Sequence, residues 1–300
     1  MLLALDVGNT QTVVGVFDDR SDPSGGPGRA AGELPGLVHS WRIATVVERT
    51  ADEHAVLLLD LLRLVGLHVP GRASAAADAA SRGVVDGIVV SSSVPAVTAA
   101  LRLTVASWFE VPLVVVGPGV KTGMPILYDD PREVGADRVV NAVGAIDLYG
   151  GPAIVVDLGT ATTFDAISGD GEYLGGAIVP GIEISMNALF EHAAALRRVE
   201  LVAPGVTIGR STVESMQAGA IYGFAALVDG LCNRMRDELG PATVLATGGL
   251  AALVAPHCKA VAHHEPWLTL HGLRLVYARN SPAAAVREPP GARARSRRTS

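Results

Sequence analysis

Two stretches of this chain repeat one pattern. The first is Ala4-Leu5-Asp6-Val7-Gly8-Asn9-Thr10-Gln11-Thr12, with the apolar run from Val13 to Phe17 behind it. The second is Ile154-Val155-Val156-Asp157-Leu158-Gly159-Thr160-Ala161-Thr162-Thr163, with Phe164 to Ile167 behind it. Each reads as a buried strand, an Asp-x-Gly turn followed by threonine, and a second strand, which is the signature of a hairpin. The glycine lets backbone N–H groups approach a phosphate, because no side chain stands in the way. Threonine hydroxyls add donors, and an aspartate at the strand end can hold a cation that neutralises phosphate charge. A single Asp-Gly turn is commonly only structural; two, at the starts of two halves of one chain, point to opposed donor-rich loops suited to phosphoryl transfer.

Other nucleotide folds are excluded by what is missing. No Gly-x-x-x-x-Gly-Lys-Ser/Thr occurs, so this is not a P-loop NTPase, and no Gly-x-Gly-x-x-Gly opens a helix after the first strand, as a dinucleotide-binding fold requires. The chain has 300 residues, enough for one or two domains, and is 49% hydrophobic with 18% charged residues, a globular composition. A net charge of −6 argues against a nucleic-acid partner. Arginines concentrate only at Arg287, Arg293, Arg295, Arg297 and Arg298, among Pro and Gly, where a disordered, solvated tail is expected over 281–300. Cys232 and Cys258 lack metal-ligand spacing and imply no disulfide framework; with no signal segment and no membrane-length apolar run, a cytoplasmic location and no membrane partner are expected.

Along the chain, strands and helices alternate after the opening hairpin, which predicts an α/β layered fold. The Gly/Pro-rich stretch from Asp18 to Pro35 reads as a surface loop lengthened by an insertion, and Leu37 to Thr45 as a returning strand. Thr50-Ala51-Asp52-Glu53 is a capping box opening a helix that Gly66 stops. Residues 70–82 are Ala-rich and ambiguous. Gly87 to Ser91 and Val111 to Val116 read as strands on either side of a helix running through Trp108. Gly171 begins a glycine-rich stretch to Gly181, followed by a helical region from Ile182 to Leu196. Ser211 or Thr212 opens a helix towards Glu238, Val244 to Thr247 is a strand, and folded structure ends near Asn280. His54 and His68 are expected on the surface, and His263-His264 in a loop.

Two further segments could carry chemistry. In Glu133-Val134-Gly135-Ala136-Asp137-Arg138 a glycine precedes a helix start, where the macrodipole favours an ionised carboxylate. Asp137 can then accept a proton or anchor a hydroxyl, and Arg138 can hold an anionic or polar substrate. An ordinary N-cap with a surface arginine is the other reading. Thr247-Gly248-Gly249 lets adenosine or phosphate lie against backbone, or is a plain strand-to-helix turn.

Taken together these motifs resemble those of the superfamily that includes actin, acetate kinases and sugar kinases, and more narrowly those of type III pantothenate kinases. Asp6 to Thr10, Glu133 to Arg138, Asp157 to Thr163, Gly175 to Gly181, Thr212 to Gln217 and Thr247 to Ala251 come in that family's order and span residues 1 to about 280. The resemblance implies two duplicated actin-like (ribonuclease H-like) α/β halves, each a mixed sheet flanked by helices: 1–150 with the first phosphate loop and the substrate segment, and 151–280 with the second loop. It implies ATP-dependent phosphorylation of pantothenate, the first step of coenzyme A biosynthesis. Asp6, Val7, Gly8, Asn9, Thr10, Gln11, Thr12, Val13 and Thr160 would contact ATP, with magnesium accompanying it at Asp6. Asp157 would hold a monovalent cation, potassium or ammonium. Tyr128, Gly135, Ala136, Asp137, Arg138 and Thr212 would bind pantothenate, with Asp137 as the base. Thr212 would reach the site from the second subunit of a homodimer. The 19–36 insertion and the arginine-rich tail stand outside the family pattern and touch no motif residue. A member that has lost catalysis and serves as an accessory protein would lack part of this constellation, yet Asp6, Asp137, Arg138 and Asp157 are all present. A changed acceptor on the same fold is disfavoured by the Glu133–Arg138 segment.

Overall fold

The computed structural model describes residues 1–18, 33–70, 83–193 and 196–281. Most of the 19–36 insertion, the Ala-rich 71–82 stretch and the tail beyond 281 lie outside the described residues. Contacts divide the chain into two compact units: the first is built mainly from residues up to Gly123 together with those from Leu273 onward, and the second from Met124–Gly272. The boundary near 150 expected from the sequence marks where the repeated hairpin begins again, just before the strand Ala153–Leu158.

In the first unit the chain runs β1 (Leu2–Val7), β2 (Gln11–Phe17), β3 (Leu37–Ala44), α1 (Ala51–Leu64), β4 (Leu67–His68), β5 (Gly83–Val84), β6 (Gly87–Ser92), α2 (Pro95–Thr104) and β7 (Leu113–Val115). Five strands form one sheet in the order β3-β2-β1-β6-β7. β1 is central, antiparallel to β2 and parallel to β6. A strand covered on both faces reads as a continuous apolar run, and Leu2 to Leu5 are all buried. Edge strand β3 has no fully buried residue.

The capping box forms as the sequence predicts: the Glu53 amide donates to Thr50 Oγ1 at 3.3 Å and the Thr50 amide to Glu53 Oε2 at 2.8 Å. Gly66, at φ +74°, ends that helix region. α1 packs Ala55, Leu58 and Leu62 inward. His54 lies one turn before Leu58 on that same face and is only 5% exposed, which corrects the surface placement expected of it.

The second unit follows with α3 (Ala136–Tyr149), β8 (Ala153–Leu158), β9 (Ala161–Ile167), β10 (Tyr173–Pro180), α4 (Ile182–His192), α5 (Thr212–Leu239), β11 (Thr243–Thr247), α6 (Ala251–Val254) and β12 (His263–His264). α7 (Leu268–Asn280) closes the described chain. Its sheet order is β10-β9-β8-β11-β12, with β8 antiparallel to β9 and parallel to β11. Counting strands within each unit's sheet, both orders are 3-2-1-4-5. The glycine-rich 171–181 stretch is therefore chiefly a strand, paired to β9 with a bulge between Tyr173 and Gly175. His263-His264 is also a short strand, parallel to β11, rather than the expected loop. Each sheet has its own core: one around Leu5, Val16, Ile88 and Phe109, the other around Val156, Phe164, Ile182 and Val228. Among the described residues no helix is long and apolar enough to cross a membrane.

Burial, helped by Arg49, pushes the His54 imidazole below its ordinary pKa, and its Nε2 has no hydrogen-bond partner. The fold therefore holds it neutral, whereas the unfolded chain protonates it near pH ~6.5. The stability this gives is present above that pH and is lost as pH falls through the depressed folded value. Thermal melts across the acid range should show a shallower fall in Tm for His54→Leu than for wild type; parallel profiles would exclude His54 as a source of acid sensitivity.

Candidate active site

The two phosphate-type loops close equivalent hairpins. Asp6 is the penultimate residue of β1, opposite Val13, and Asp157 is the penultimate residue of β8, opposite Thr163. In the first loop the Gly8 amide donates to the Gln11 carbonyl at 3.0 Å; in the second the Gly159 amide donates to the Ala161 carbonyl at 3.1 Å. The second loop is one residue shorter, because Val7 pairs with Thr12 whereas Leu158 pairs with Thr162. Asp-x-Gly is thus common to both, and the threonines beyond it stand at different places in the turn.

Thr45, at the end of β3, organises the first loop and escaped the sequence reading. Its hydroxyl donates to the Gly8 carbonyl at 2.8 Å and lies 2.9 Å from Thr12 Oγ1, and its amide donates to the Thr10 carbonyl at 3.0 Å. Carbonyls that would repel an anion are thereby occupied by protein donors, while Asn9, Thr10 and Gln11 remain exposed at the turn.

The second loop is boxed by close backbone approaches. A Cβ on Gly181 would stand 2.3 Å from the Thr160 carbonyl oxygen and 2.5 Å from that of Gly159. Gly248 has φ +97°, and a Cβ there would stand 2.4 Å from Asp157 Oδ1 and 2.6 Å from the Leu158 amide. The Thr247-Gly248-Gly249 turn therefore backs Asp157. On the other side Asn141 of α3 donates to Asp157 Oδ2 at 3.0 Å and accepts from the Thr269 hydroxyl at 2.8 Å. Asn141 is buried and was invisible in the sequence, where an Asn inside an apolar helix carries no motif. A carboxylate beside a loop rich in backbone carbonyls is a hard oxygen donor set, suited to an alkali or alkaline-earth cation and not to a soft metal. Among the described residues no cluster of three His, Cys, Asp or Glu could ligate a metal.

Tyr128 and the Glu133–Arg138 segment lie wholly in the second unit. A 3-10 turn at Pro131–Glu133 is capped by Asp130, whose carboxylate accepts from the Arg132 amide at 3.0 Å and pairs with its guanidinium at 2.8 and 2.9 Å. That guanidinium holds the Asp130 carboxyl below its ordinary range. Gly135 is the N-cap of α3, which places Asp137 and Arg138 in its first turn. Asp137 Oδ1 accepts the Arg138 amide at 3.0 Å, and a Cβ on Gly135 would stand 2.5 Å from that same oxygen. Gly135 thus gives the Asp137 carboxylate its room.

Arg138 does not lie on the surface. It is 7% exposed, and its Nε donates at 2.7 Å to Oδ1 of Asp165, which is completely buried. The Tyr173 hydroxyl donates to the same oxygen at 2.7 Å, and the Arg138 guanidinium carbon lies 5.9 Å from the Tyr173 ring centroid. Burial pushes the Asp165 carboxyl up, against the opposing pull of Arg138, and it pushes the Tyr173 phenol up as well. Tyr128 tilts against Tyr173 with ring centroids 6.4 Å apart, and its ring is 3.5 Å from where a Gly175 Cβ would be. The structure thus brings together Tyr128, Gly135, Ala136, Asp137 and Arg138, and adds Asp165, Tyr173, Gly175 and Gly176. Thr212, the first residue of α5, instead lines an open groove of about 840 Å³ with Ser185, Met186, Leu189 and Phe224.

A duplicated mixed sheet in this strand order, with an Asp-x-Gly loop closing each central hairpin, defines the actin-like ATPase class, to which acetate and sugar kinases belong. A Baf family transcriptional activator from Campylobacter jejuni has the same fold: its crystal structure covers 93% of this chain and 98% of its own, at TM-score 0.54 and 16% identity. The family model for type III pantothenate kinase matches residues 2–234. A type III pantothenate kinase from Streptomyces avermitilis is 52% identical over 285 residues, covering 93% of this chain and 98% of the relative. Another from Myxococcus xanthus is 50% identical over 281 residues, covering 93% and 99%. The chain belongs to the type III pantothenate kinase family.

Gly248→Ala should destabilise the protein by more than about 2 kcal/mol, from a strained left-handed backbone and a side chain driven into Asp157. Gly159→Ala, whose Cβ would meet only ordinary contacts at 3.5 Å, should stay within about 1 kcal/mol of wild type. Denaturant titration of both variants checks this, and equal losses would show that the backing of Asp157 is not what requires Gly248.

Proposed function

We propose that this chain transfers the γ-phosphoryl group of ATP to the primary hydroxyl of pantothenate, the first step of coenzyme A biosynthesis, with Asp137 as general base. The observation that carries this is the Asp137 carboxylate, held by the Arg138 amide at the first turn of α3 and left room by Gly135. The acceptor oxygen bonds to the γ-phosphorus, the bond from that phosphorus to the ADP oxygen breaks, and the hydroxyl proton passes to Asp137.

Each donor-rich loop has its part. Asp6 to Val13 hold the phosphates of ATP, and Thr160 in the second loop contacts the nucleotide. Tyr128, Gly135, Ala136 and Arg138 bind pantothenate around the base. Asp6 is assigned to magnesium accompanying ATP and Asp157 to potassium or ammonium; these ions supply charge neutralisation of the phosphates. The halves 1–150 and 151–280 are the products of a duplication, as the shared 3-2-1-4-5 strand order supports.

The working form is a homodimer. Ile184 and Leu189 on α4 and Val213 on α5 are 46%, 42% and 50% exposed. A second copy would cover them, with Thr212 reaching the partner's pantothenate. Both cysteines are free, as suits the cytoplasm.

Release of ADP from purified protein given ATP, magnesium and pantothenate tests the reaction directly. Asp137→Asn should fold normally and turn over about 10²–10⁴-fold more slowly; an unchanged rate removes Asp137 from the chemistry. Run in potassium and again in sodium buffer, the wild type should depend on potassium or ammonium and Asp157→Ala should lose that dependence. An Asp157→Ala enzyme still stimulated by potassium places the cation elsewhere.

A further inference from the structure

The Arg138–Asp165 pair is more than an internal strut. Asp165 lies in the middle of β9, opposite Gly176 of β10, and is 0% exposed. Its Oδ1 takes both the Arg138 Nε–H and the Tyr173 hydroxyl, and Thr163 Oγ1 lies 3.4 Å from Oδ2. A buried ion pair of this kind is often no better for stability than apolar side chains of the same volume, because desolvation offsets attraction. Here it is built on the residue that follows the base.

The geometry also leaves much of the arginine unspent. Of the five guanidinium donors, only Nε–H is given to a protein acceptor among the described residues. Nη2 lies 3.2 Å from where a Gly176 Cβ would be, and no Cβ could exist there, since it would stand 1.6 Å from the Phe164 carbonyl oxygen. The next glycine back, Gly175, is flanked by the Tyr128 ring. A pair of consecutive glycines therefore keeps side chains away from the Nη2 edge on one side and from the Tyr128 face on the other.

We propose that Asp165 is a positioning residue for acceptor binding: with Tyr173 it grips Arg138 by its Nε edge, so that the Nη groups are held ready for the acceptor substrate beside Asp137. This rests on the assignment of Arg138 to pantothenate. Asp165 touches no reacting atom; it acts through Arg138, and Tyr173 both donates to Asp165 and packs its ring under the guanidinium.

Steady-state kinetics and thermal melts of the full-length chain test it, using wild type, Asp165→Asn, Tyr173→Phe, Arg138→Gln and the double variant Arg138→Gln/Asp165→Asn. Asp165→Asn should raise KM for pantothenate about 10–100-fold, the worth of a hydrogen bond to a charged group, while KM for ATP stays within about twofold. Tyr173→Phe, which keeps the ring, should raise KM for pantothenate about 2–10-fold, and it carries the test should Asp165→Asn fail to fold. The double variant should be no worse than Arg138→Gln alone. Additive penalties in the double variant, a KM for ATP rising in step, or an unaltered KM for pantothenate overturns the role of Asp165. A wild type without pantothenate-dependent turnover overturns instead the function on which it rests.

Discussion

The hydrogen bonding of two central strands governs the rest of this protein. β1 and β8 each pair antiparallel on one side and parallel on the other, so their registers are fixed from both edges. Because side chains alternate, a one-residue slip would invert each strand's faces. That register places Asp6 and Asp157 at equivalent depths and forces the turn beyond them to be tight. The glycines that follow are what a tight turn needs, and each donates its amide to a carbonyl within its own turn.

The local order of the chain was readable because it is written in local interactions. Both hairpins have continuous apolar strands and a glycine between them. The Thr50 and Glu53 capping bonds and the Ser211 cap of α5 need only residues three apart. What escaped the sequence depends on distant partners. β10 is a strand because β9 supplies its ladder, whereas the sequence shows only a glycine-rich stretch there. His54 is buried because α1 turns that face inward, although histidine alone suggests surface.

The candidate site divides along the same line. Asp6, Asp137 and Asp157 are legible, since each stands two residues from a glycine at a hairpin turn or a helix start. Asp165 is not, because its partner Arg138 is 27 residues away and an aspartate within a strand ordinarily signals a solvent face. Thr45 and Asn141 are hidden for a similar reason: one reaches the first loop from the neighbouring strand, the other reaches Asp157 from a helix. Supporting residues are conspicuous only in three dimensions, whereas the groups they support are conspicuous in the chain.

The glycines at 176, 181 and 248 also bear on how such an enzyme can diverge. At each, the smallest side chain would meet a backbone or carboxylate oxygen well inside van der Waals contact. Those codons are closed to drift, and with them the geometry around Arg138 and Asp157. Tyr128 stands differently: it projects from a loop of the second unit that meets the sheet at the isolated bridge Ile126 to Tyr173. On the role proposed for Tyr128, a lineage that exchanged one acceptor for another would find its heritable variation there, in a segment that belongs to no strand.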